Sequence, residues 1–109
     1  MTTNPKVSVT RDDAAERYVI TVDDAAPLTA VAGFAAFQAS DTHVAFTHTE
    51  LHDAYQGQGL GSQLAAYALA DAVARDLTII PLCAYMARYL ERHEVEGARI
   101  EWPNRAQRT

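Results

Sequence analysis

Positive charge and cysteine are both scarce in this sequence. Nine Lys and Arg residues stand against fourteen Asp and Glu residues, which gives a formal net charge of -5. A phosphate backbone would repel such a chain, and no Lys/Arg cluster is visible, so a nucleic-acid partner is not expected. The one cysteine, Cys83, excludes an intramolecular disulfide and offers no ligand pair for a metal ion, so no metal site is expected.

Long apolar runs are also missing. The start MTTNPKVSV has no signal-peptide core, and no apolar run reaches the roughly 20 residues that span a membrane. We therefore expect a cytoplasmic protein with no membrane partner. Hydrophobic residues still form 49% of the 109 residues, enough for the core of one domain over residues 1–109. The core is expected within about residues 7–98, followed by a polar tail.

The first half of the chain has the period of β-strands. Four segments alternate between apolar and polar residues and are separated by short turns, which predicts an antiparallel meander. The segments are KVSVTRD, RYVITVDD, LTAVAGFAAFQ and HVAFTHTEL. The alternation places on one face of each strand Val7 and Val9; Tyr18, Ile20 and Val22; Val31, Ala35 and Phe37; and Val44, Phe46, His48 and Glu50.

After Leu51 the period becomes helical. GLGSQLAAYALADAVARD has a stripe of Leu and Ala at helical spacing and an Asp71–Arg75 pair on its polar side. LTIIPL predicts a short strand that Pro81 ends. CAYMARYLERHEVEG predicts a second helix that stops at Gly97. The fold class is therefore α+β, with a twisted, mainly antiparallel sheet in the order four strands, helix, strand, helix.

Three glycines in YQGQGLGSQ precede the first helix and raise the possibility of a phosphate site. A P-loop needs Lys and Ser/Thr after its last glycine, and a dinucleotide fingerprint needs Gly or Ala where Ser62 or Leu64 stands, so both patterns fail. The pattern Gln/Arg-x-x-Gly-x-Gly/Ala is met by Gln56, Gly59 and Gly61. Free N–H groups at a helix N-terminus attract anions. A tight strand-to-helix turn without a ligand is the alternative explanation.

Taken together, HTEL, QGQGLG and IIPLCAYMARYLERH resemble the small members of the GCN5-related N-acetyltransferase superfamily, in particular the YjdJ-type acetyltransferase-like group. The resemblance covers about residues 7–98. It implies a minimal form of that fold that binds acetyl-CoA where the fourth and fifth strands splay apart. The long N-terminal helical segment and the final strands of the wider superfamily have no counterpart here, which implies an open acceptor side.

The resemblance also implies which residues hold the cofactor. The pyrophosphate would bind the main chain of Gln56, Gly57, Gln58, Gly59, Leu60, Gly61 and Ser62. The pantetheine arm would pair with the main chain at Leu51 and His52, and the thioester would point between Glu50 and Cys83.

Acetyl transfer needs an amine that loses a proton and a thiolate that gains one. Glu50, at the end of the fourth strand, is the candidate proton relay, with a solvated strand end as the alternative; His48 is expected to be structural. Cys83 precedes the last helix, whose dipole stabilises a thiolate, so it is a candidate nucleophile or acid; packing is the alternative.

The last helix offers candidates at helical spacing. Resemblance to the superfamily makes Tyr89 the candidate acid toward the CoA sulfur, with Tyr85 as its rival. His93 either lines the far side of the cofactor or caps the helix.

The function that these patterns favour is an acetyl-CoA-dependent N-acetyltransferase that acts by direct attack in a ternary complex. Its amine acceptor stays open among a small amine, a polyamine, a peptide N-terminus and a protein lysine. The alternatives are a non-catalytic module that binds or senses acyl-CoA and, less favoured, a partner-binding domain. Both a monomer and a homodimer fit the sequence, since an apolar edge strand can pair with a second copy.

Overall fold

Five strands and two α-helices follow the order that the sequence predicts, and a short 3-10 helix that was not predicted, Asp53–Tyr55, precedes the first α-helix. The strands are β1 (Val7–Asp12), β2 (Arg17–Ala25), β3 (Leu28–Ala39), β4 (His43–Leu51) and β5 (Thr78–Pro81), and the helices are α1 (Leu60–Ala74) and α2 (Ala84–Arg92). The structure is a computed structural model that describes residues 7–25, 28–57 and 59–103. The α+β fold class is confirmed.

All five strands form one sheet in the order β1-β2-β3-β4-β5. β1 to β4 are antiparallel neighbours, whereas β5 pairs with β4 in parallel, and α1 supplies the crossover that a parallel pair requires. The parallel pairing joins His43–Phe46 of β4 to Thr78–Pro81. From Thr47 to Leu51, β4 therefore continues without a paired strand on that side among the described residues.

Both helices pack on one face of the sheet, which we call the packed face. Small alanines on the buried side of α1 let the helix approach the strands closely. The opposite surface, here the open face, carries no helix within the described part of the chain. The buried hydrophobic core includes Tyr18, Ile20, Val22, Ala35, Phe37, Val44, Phe46, Leu64, Ala65, Ala68, Leu69, Ala72, Ile79, Met86 and Leu90. Among the described helices, none combines the length and apolarity needed to cross a membrane.

The described part of the sheet has three register shifts, one of them between Val22 and Ala25 near the β2–β3 turn; the other two are β-bulges that change which side chains reach the packed face. Between β2 and β3 the extra residue is Ala32, and between β3 and β4 it is Thr47. Each inserted residue reverses the facing of what lies beyond it. Val31 is consequently 47% exposed, rather than sharing a face with the buried Ala35 and Phe37 as the alternation predicted.

The second helix ends earlier than predicted. α2 stops at Arg92, and Gly97 lies in the following loop with φ 81°. His93 takes extended backbone angles and donates its main-chain N–H to the carbonyl of Tyr89. The chain then returns to β5, where Ile79 bonds with the main chain of Arg99 and Glu101 at 2.8 Å each. This pairing is long-range, so the helical period of the sequence could not predict it.

Candidate functional site

The free edge of β4 begins where β5 ends. The N–H groups of Leu82 and Cys83 both donate to the carbonyl of Phe46 at 3.0 Å, which turns the chain away from β4 and into α2. The main chain of His52 bonds with β3, its N–H donating to Ala32 at 2.8 Å. Because bonding alternates along an antiparallel pair, the main-chain groups of Thr49 and Leu51 point away from β3. They lie on an edge to which an extended ligand can add.

Main-chain N–H groups without side-chain caps form the start of α1. Gly59 is the N-cap residue, in the left-handed region with φ 77°, and makes no side-chain capping bond. No acidic residue stands in the first turn, so among the described residues neither a side-chain cap nor a first-turn carboxylate neutralises the positive end of the helix dipole. At Gly61 a Cβ would overlap the hydroxyl of Tyr85, so a larger residue there would require the Tyr85 side chain to move.

One cleft of about 500 Å³ joins the β4 edge to the start of α1. Gln56 shapes its rim, because its side-chain Nε2 donates to the carbonyl of Leu51 and to Asp53 at 3.3 Å each. The size is in the range of small-molecule and cofactor sites. The cleft is lined by Thr49, Leu51, Gln56, Gly57, Gly59, Gly61, Ser62 and Tyr85.

Cys83 stands at the splay point between β4 and α2. It is the N-cap residue of α2 and is half-buried. Its Sγ lies 3.3 Å from Oγ1 of Thr49, within hydrogen-bond distance, and Thr49 lines the cleft. The thiol therefore sits directly behind the cleft wall, at the positive end of a helix dipole.

Glu50 lies on the open face, not beside Val44 and Phe46 as the alternation predicted. The bulge at Thr47 turns both His48 and Glu50 outward, and their side chains are 58% and 53% exposed. His48 Nε2 and Glu50 Oε1 are 3.2 Å apart. The prediction that Glu50 shares an apolar face with Val44 and Phe46 is thus wrong. Its carboxylate still projects from the same edge segment of β4 as Thr49.

The tyrosines of α2 face two different spaces. Tyr85 lines the cleft, whereas Tyr89 lines an adjoining cavity of about 230 Å³ that shares Ser62 and Tyr85 with it. The ring of His93 stacks on Tyr89 with centroids 4.2 Å apart, and its Nδ1 lies 3.1 Å from the Tyr89 carbonyl. His93 therefore does both things considered from the sequence: it caps α2 and lines the cavity. Arg88 and Arg92 add positive charge there.

The structure brings together most of the predicted cofactor residues. Leu51, Gln56, Gly57, Gly59, Gly61 and Ser62 all line the cleft, while Gln58 lies outside the described residues. The side chain of Leu60 is buried and can offer only its main chain. His52 is exposed, and both its main-chain groups are already bonded, the carbonyl by the Tyr55 N–H. Thr49 and the N–H of Leu51 are therefore the main-chain groups that this edge leaves open for strand-like pairing, since the Leu51 carbonyl already accepts from Gln56.

Three residues that line the cleft or the adjoining cavity were not predicted from the sequence. Thr49 reaches the cleft only because of the bulge before it, and Arg88 and Arg92 reach the adjoining cavity only because α2 packs beside α1. The i,i+4 spacing of the two arginines on one helix was the available signal. No local pattern identified Thr49.

The comparison with protein families agrees with this architecture. The family described as GCN5-related N-acetyl-transferase matches residues 17–100. The match covers well over half of the chain and includes β2 through α2, so the protein belongs to that family of acetyltransferases. A search of the curated proteins finds no significant match.

Proposed function

We propose that this protein is an acetyl-CoA-dependent N-acetyltransferase that passes the acetyl group directly to an amine in a ternary complex. The observation that carries the proposal is the meeting of a free strand edge and an uncapped helix N-terminus in one cleft. Membership of the GCN5-related family supports the same class of activity.

The start of α1 suits the pyrophosphate of CoA. A phosphate can approach the main chain closely at Gly59, where no Cβ stands in the way, and the helix dipole favours its charge. The hydroxyl of Ser62 is a further donor on the cleft wall. Arg88 and Arg92 in the adjoining cavity suit the remaining phosphate at the adenosine end. These residues would hold the charged half of the molecule.

The edge of β4 suits the pantetheine arm. Its amide groups can bond with the main chain of Thr49 and Leu51 as an added strand would. The arm then leads from the glycines toward Thr47, where β4 and β5 part and Cys83 stands. A chain held in this way ends between the thiol of Cys83 and the carboxylate of Glu50.

Bound acetyl-CoA supplies an activated acetyl group: the amine nitrogen bonds to the acetyl carbon, the carbon–sulfur bond breaks, and CoA leaves as the thiol. Glu50, together with His48, accepts the proton that the amine loses. The thiol of Cys83 gives a proton to the departing sulfur and recovers one through solvent, with the Thr49 hydroxyl 3.3 Å away to orient it. The proposed base, Glu50, thus lies on the open face of the sheet, and the proposed acid, Cys83, lies on the other side of β4.

Tyr85 competes with Tyr89 and Cys83 for the role of acid. Tyr85 is in the cleft and Tyr89 is in the adjoining cavity, so we expect Tyr85→Phe to affect turnover more than Tyr89→Phe. The two variants remove the same group from the same helix and are matched controls. A larger loss of turnover in Tyr89→Phe than in Tyr85→Phe would show that Tyr89 is the acid.

Calorimetric titration with acetyl-CoA and with CoA is the first test. We expect saturable binding of both at one site per chain. Gly59→Val should weaken both, because a β-branched residue is strained at φ 77° and its side chain crowds the phosphate path. No binding of either ligand to the folded wild-type protein would refute the proposal.

Turnover variants test the chemistry. We expect Glu50→Gln to lower kcat by about 100-fold or more, the usual contribution of a positioned base, with unchanged CoA affinity. Mass spectrometry of the protein after incubation with acetyl-CoA alone distinguishes the routes. Direct attack leaves Cys83 unmodified, whereas an acetyl adduct on Cys83 that an amine then discharges would show a covalent route.

A module that binds acyl-CoA without turnover is the second candidate. It is favoured by one observation, that neither Glu50 nor Tyr89 lines the cleft. Tight CoA binding with no acetylated product from a broad panel of amines and peptides would support it over the transferase.

A further inference from the structure

A half-buried arginine on the open face has no anionic partner within the described part of the chain. The guanidinium of Arg17 lies over the ring of Phe34, 5.2 Å from its centroid. Its Nε is buried and makes no hydrogen bond to a described residue. Asp12, the residue directly across the strand pair, turns instead to the N–H of Ala15. A partly buried guanidinium that lacks an anionic partner is stabilised by an anion that binds to it.

Arg17 stands close to the proposed base. Arg17, Ala36 and His48 are paired directly across β2, β3 and β4, and Phe34 is paired with Glu50 in the next row. At the usual strand spacing, the Cα atoms of Arg17 and His48 are roughly 10 Å apart. The ring of His48 is 5.8 Å from that of Phe34, so the imidazole and the guanidinium both contact this one aromatic ring.

We propose that the acceptor is a small amine that also carries a carboxylate, bound on the open face by the cluster Arg17, Phe34, His48 and Glu50. The carboxylate of the acceptor pairs with the terminal N–H groups of the guanidinium. The carbon chain crosses Phe34 above the small Ala36, and the amine reaches Glu50 at the edge of β4. This assignment rests on the proposed transferase function and narrows its acceptor to amino-acid-like compounds, excluding polyamines.

Both charges of the acceptor are matched by this arrangement. An ammonium group is attracted to Glu50 and loses its proton there, whereas a carboxylate at the same place would be repelled. The Arg17 fork offers parallel N–H donors that suit a carboxylate better than any neutral group. The separation of the two sites favours an amine several bonds from the carboxylate over one on the adjacent carbon.

Matched pairs of acceptors that differ only by the carboxylate provide the test. Lysine against cadaverine and ornithine against putrescine are compared by mass spectrometry for acetylated product at equal concentration. We expect kcat/KM to be about 10- to 100-fold higher for the carboxylated member, the value of a charge-assisted pair. Arg17→Gln should remove this preference, and Arg17→Lys should restore part of it. Arg99→Gln, in an exposed ion pair with Asp76, is the control cation and should keep the preference.

A binding readout keeps the test independent of turnover. In ¹⁵N NMR spectra of the CoA-bound protein, the Arg17 Nε–H signal, assigned by its loss in Arg17→Gln, should shift with lysine and not with cadaverine. Equal use of both members of each pair, or an unshifted signal at saturating lysine, would overturn the carboxylate assignment. Calorimetric CoA binding separates the two proposals, because it tests the transferase site and does not depend on Arg17.

Discussion

The two ends of α1 differ in whether their terminal main-chain groups are hydrogen-bonded within the protein. At the C-terminal end, the N–H of Leu77 bonds to the carbonyl of Ala72 and the N–H of Asp76 to that of Val73, each at 3.0 Å, which is a Schellman motif. Asp76 takes the left-handed conformation that this motif needs, with φ 61°. At the N-terminal end, Gly59 makes no side-chain cap and the first turn holds no acidic residue.

The side chains at the two ends of α1 differ in the same way as the main-chain groups. Asp71 stands in the last turn, where the helix dipole disfavours a negative charge. It is held by the hydroxyl of Tyr18 at 2.6 Å and by the guanidinium groups of Arg75 at 2.7 Å and Arg11 at 3.4 Å. The closed end anchors the helix to the sheet, and the open end keeps its N–H groups for a ligand. The C-terminal end of α1 therefore contributes to stability, and its N-terminal end is available for binding.

The largest expected effect comes from placing a charge at the open end. Ser62→Asp introduces a carboxylate at the third helical position, which favours the helix by about 0.3–1 kcal/mol through the dipole. The same carboxylate repels the pyrophosphate at short range, so we expect CoA affinity to fall by about 100-fold or more. Calorimetric titration measures the affinity, and urea denaturation measures the free energy of unfolding.

Ser62→Asn is the matched control, because it has nearly the same shape as the aspartate without the charge. It should bind CoA within about fivefold of the wild type, since one neutral hydrogen bond contributes roughly 1 kcal/mol. If aspartate and asparagine weakened CoA binding equally, the start of α1 would not be where the phosphates bind.

The second largest effect is expected from Tyr18→Phe at the C-terminal, closed end of α1, and it should alter only the free energy of unfolding. Tyr18 is fully buried, and its hydroxyl donates to the charged Asp71. Tyr18→Phe removes that bond and leaves the carboxylate partly unsatisfied, at a cost of about 2 kcal/mol in the free energy of unfolding. CoA affinity of the folded protein should not change, because the cleft lies at the other end of the helix.

Tyr67→Phe makes the same chemical change on the exposed side of α1. It should alter the free energy of unfolding by less than about 0.5 kcal/mol. Equal destabilisation by the two variants would contradict the anchoring role of the Tyr18–Asp71 bond.

Local patterns in the sequence predicted the five strands and the two α-helices, though not the end of α2 or the 3-10 helix Asp53–Tyr55, and they also located the glycine-rich start of α1. Both depend on short stretches of chain: a period of two or 3.6, and three glycines before a helical run. The Asp71–Arg75 pair was likewise predicted from spacing alone. The part of the site that uses main-chain groups was therefore accessible without the fold.

The facing of side chains beyond the bulges could not be predicted. An inserted residue such as Thr47 is determined by how β4 registers with β3, a long-range pairing that the alternation in HVAFTHTEL does not contain. This one residue moved Glu50 to the open face and Thr49 into the cleft. The contact between Arg17 and Phe34 also depends on strand order, so the open-face cluster could be recognised only in the structure.

The smallest expected effect is a change with pH at the closed end. Burial alone would raise the pKa of Asp71, but hydrogen bonds from Tyr18 and Arg75 and the charges of Arg75 and Arg11 outweigh it, so the pKa lies below its ordinary value. A depressed carboxyl pKa contributes stability that is fully present above the unfolded value of about 3.9 and is lost as pH falls through the lower folded value. We expect the difference in unfolding free energy between wild type and Asp71→Asn to stay constant from about pH 7 to 5 and to shrink below about pH 4. Urea denaturation at each pH measures it, with Asp41→Asn in an exposed turn as the control near zero throughout. A difference that grew on acidification would mean that Asp71 is held more strongly as the acid than as the carboxylate, and the closed end would then owe its stability to burial and not to the bonds that Tyr18, Arg11 and Arg75 make.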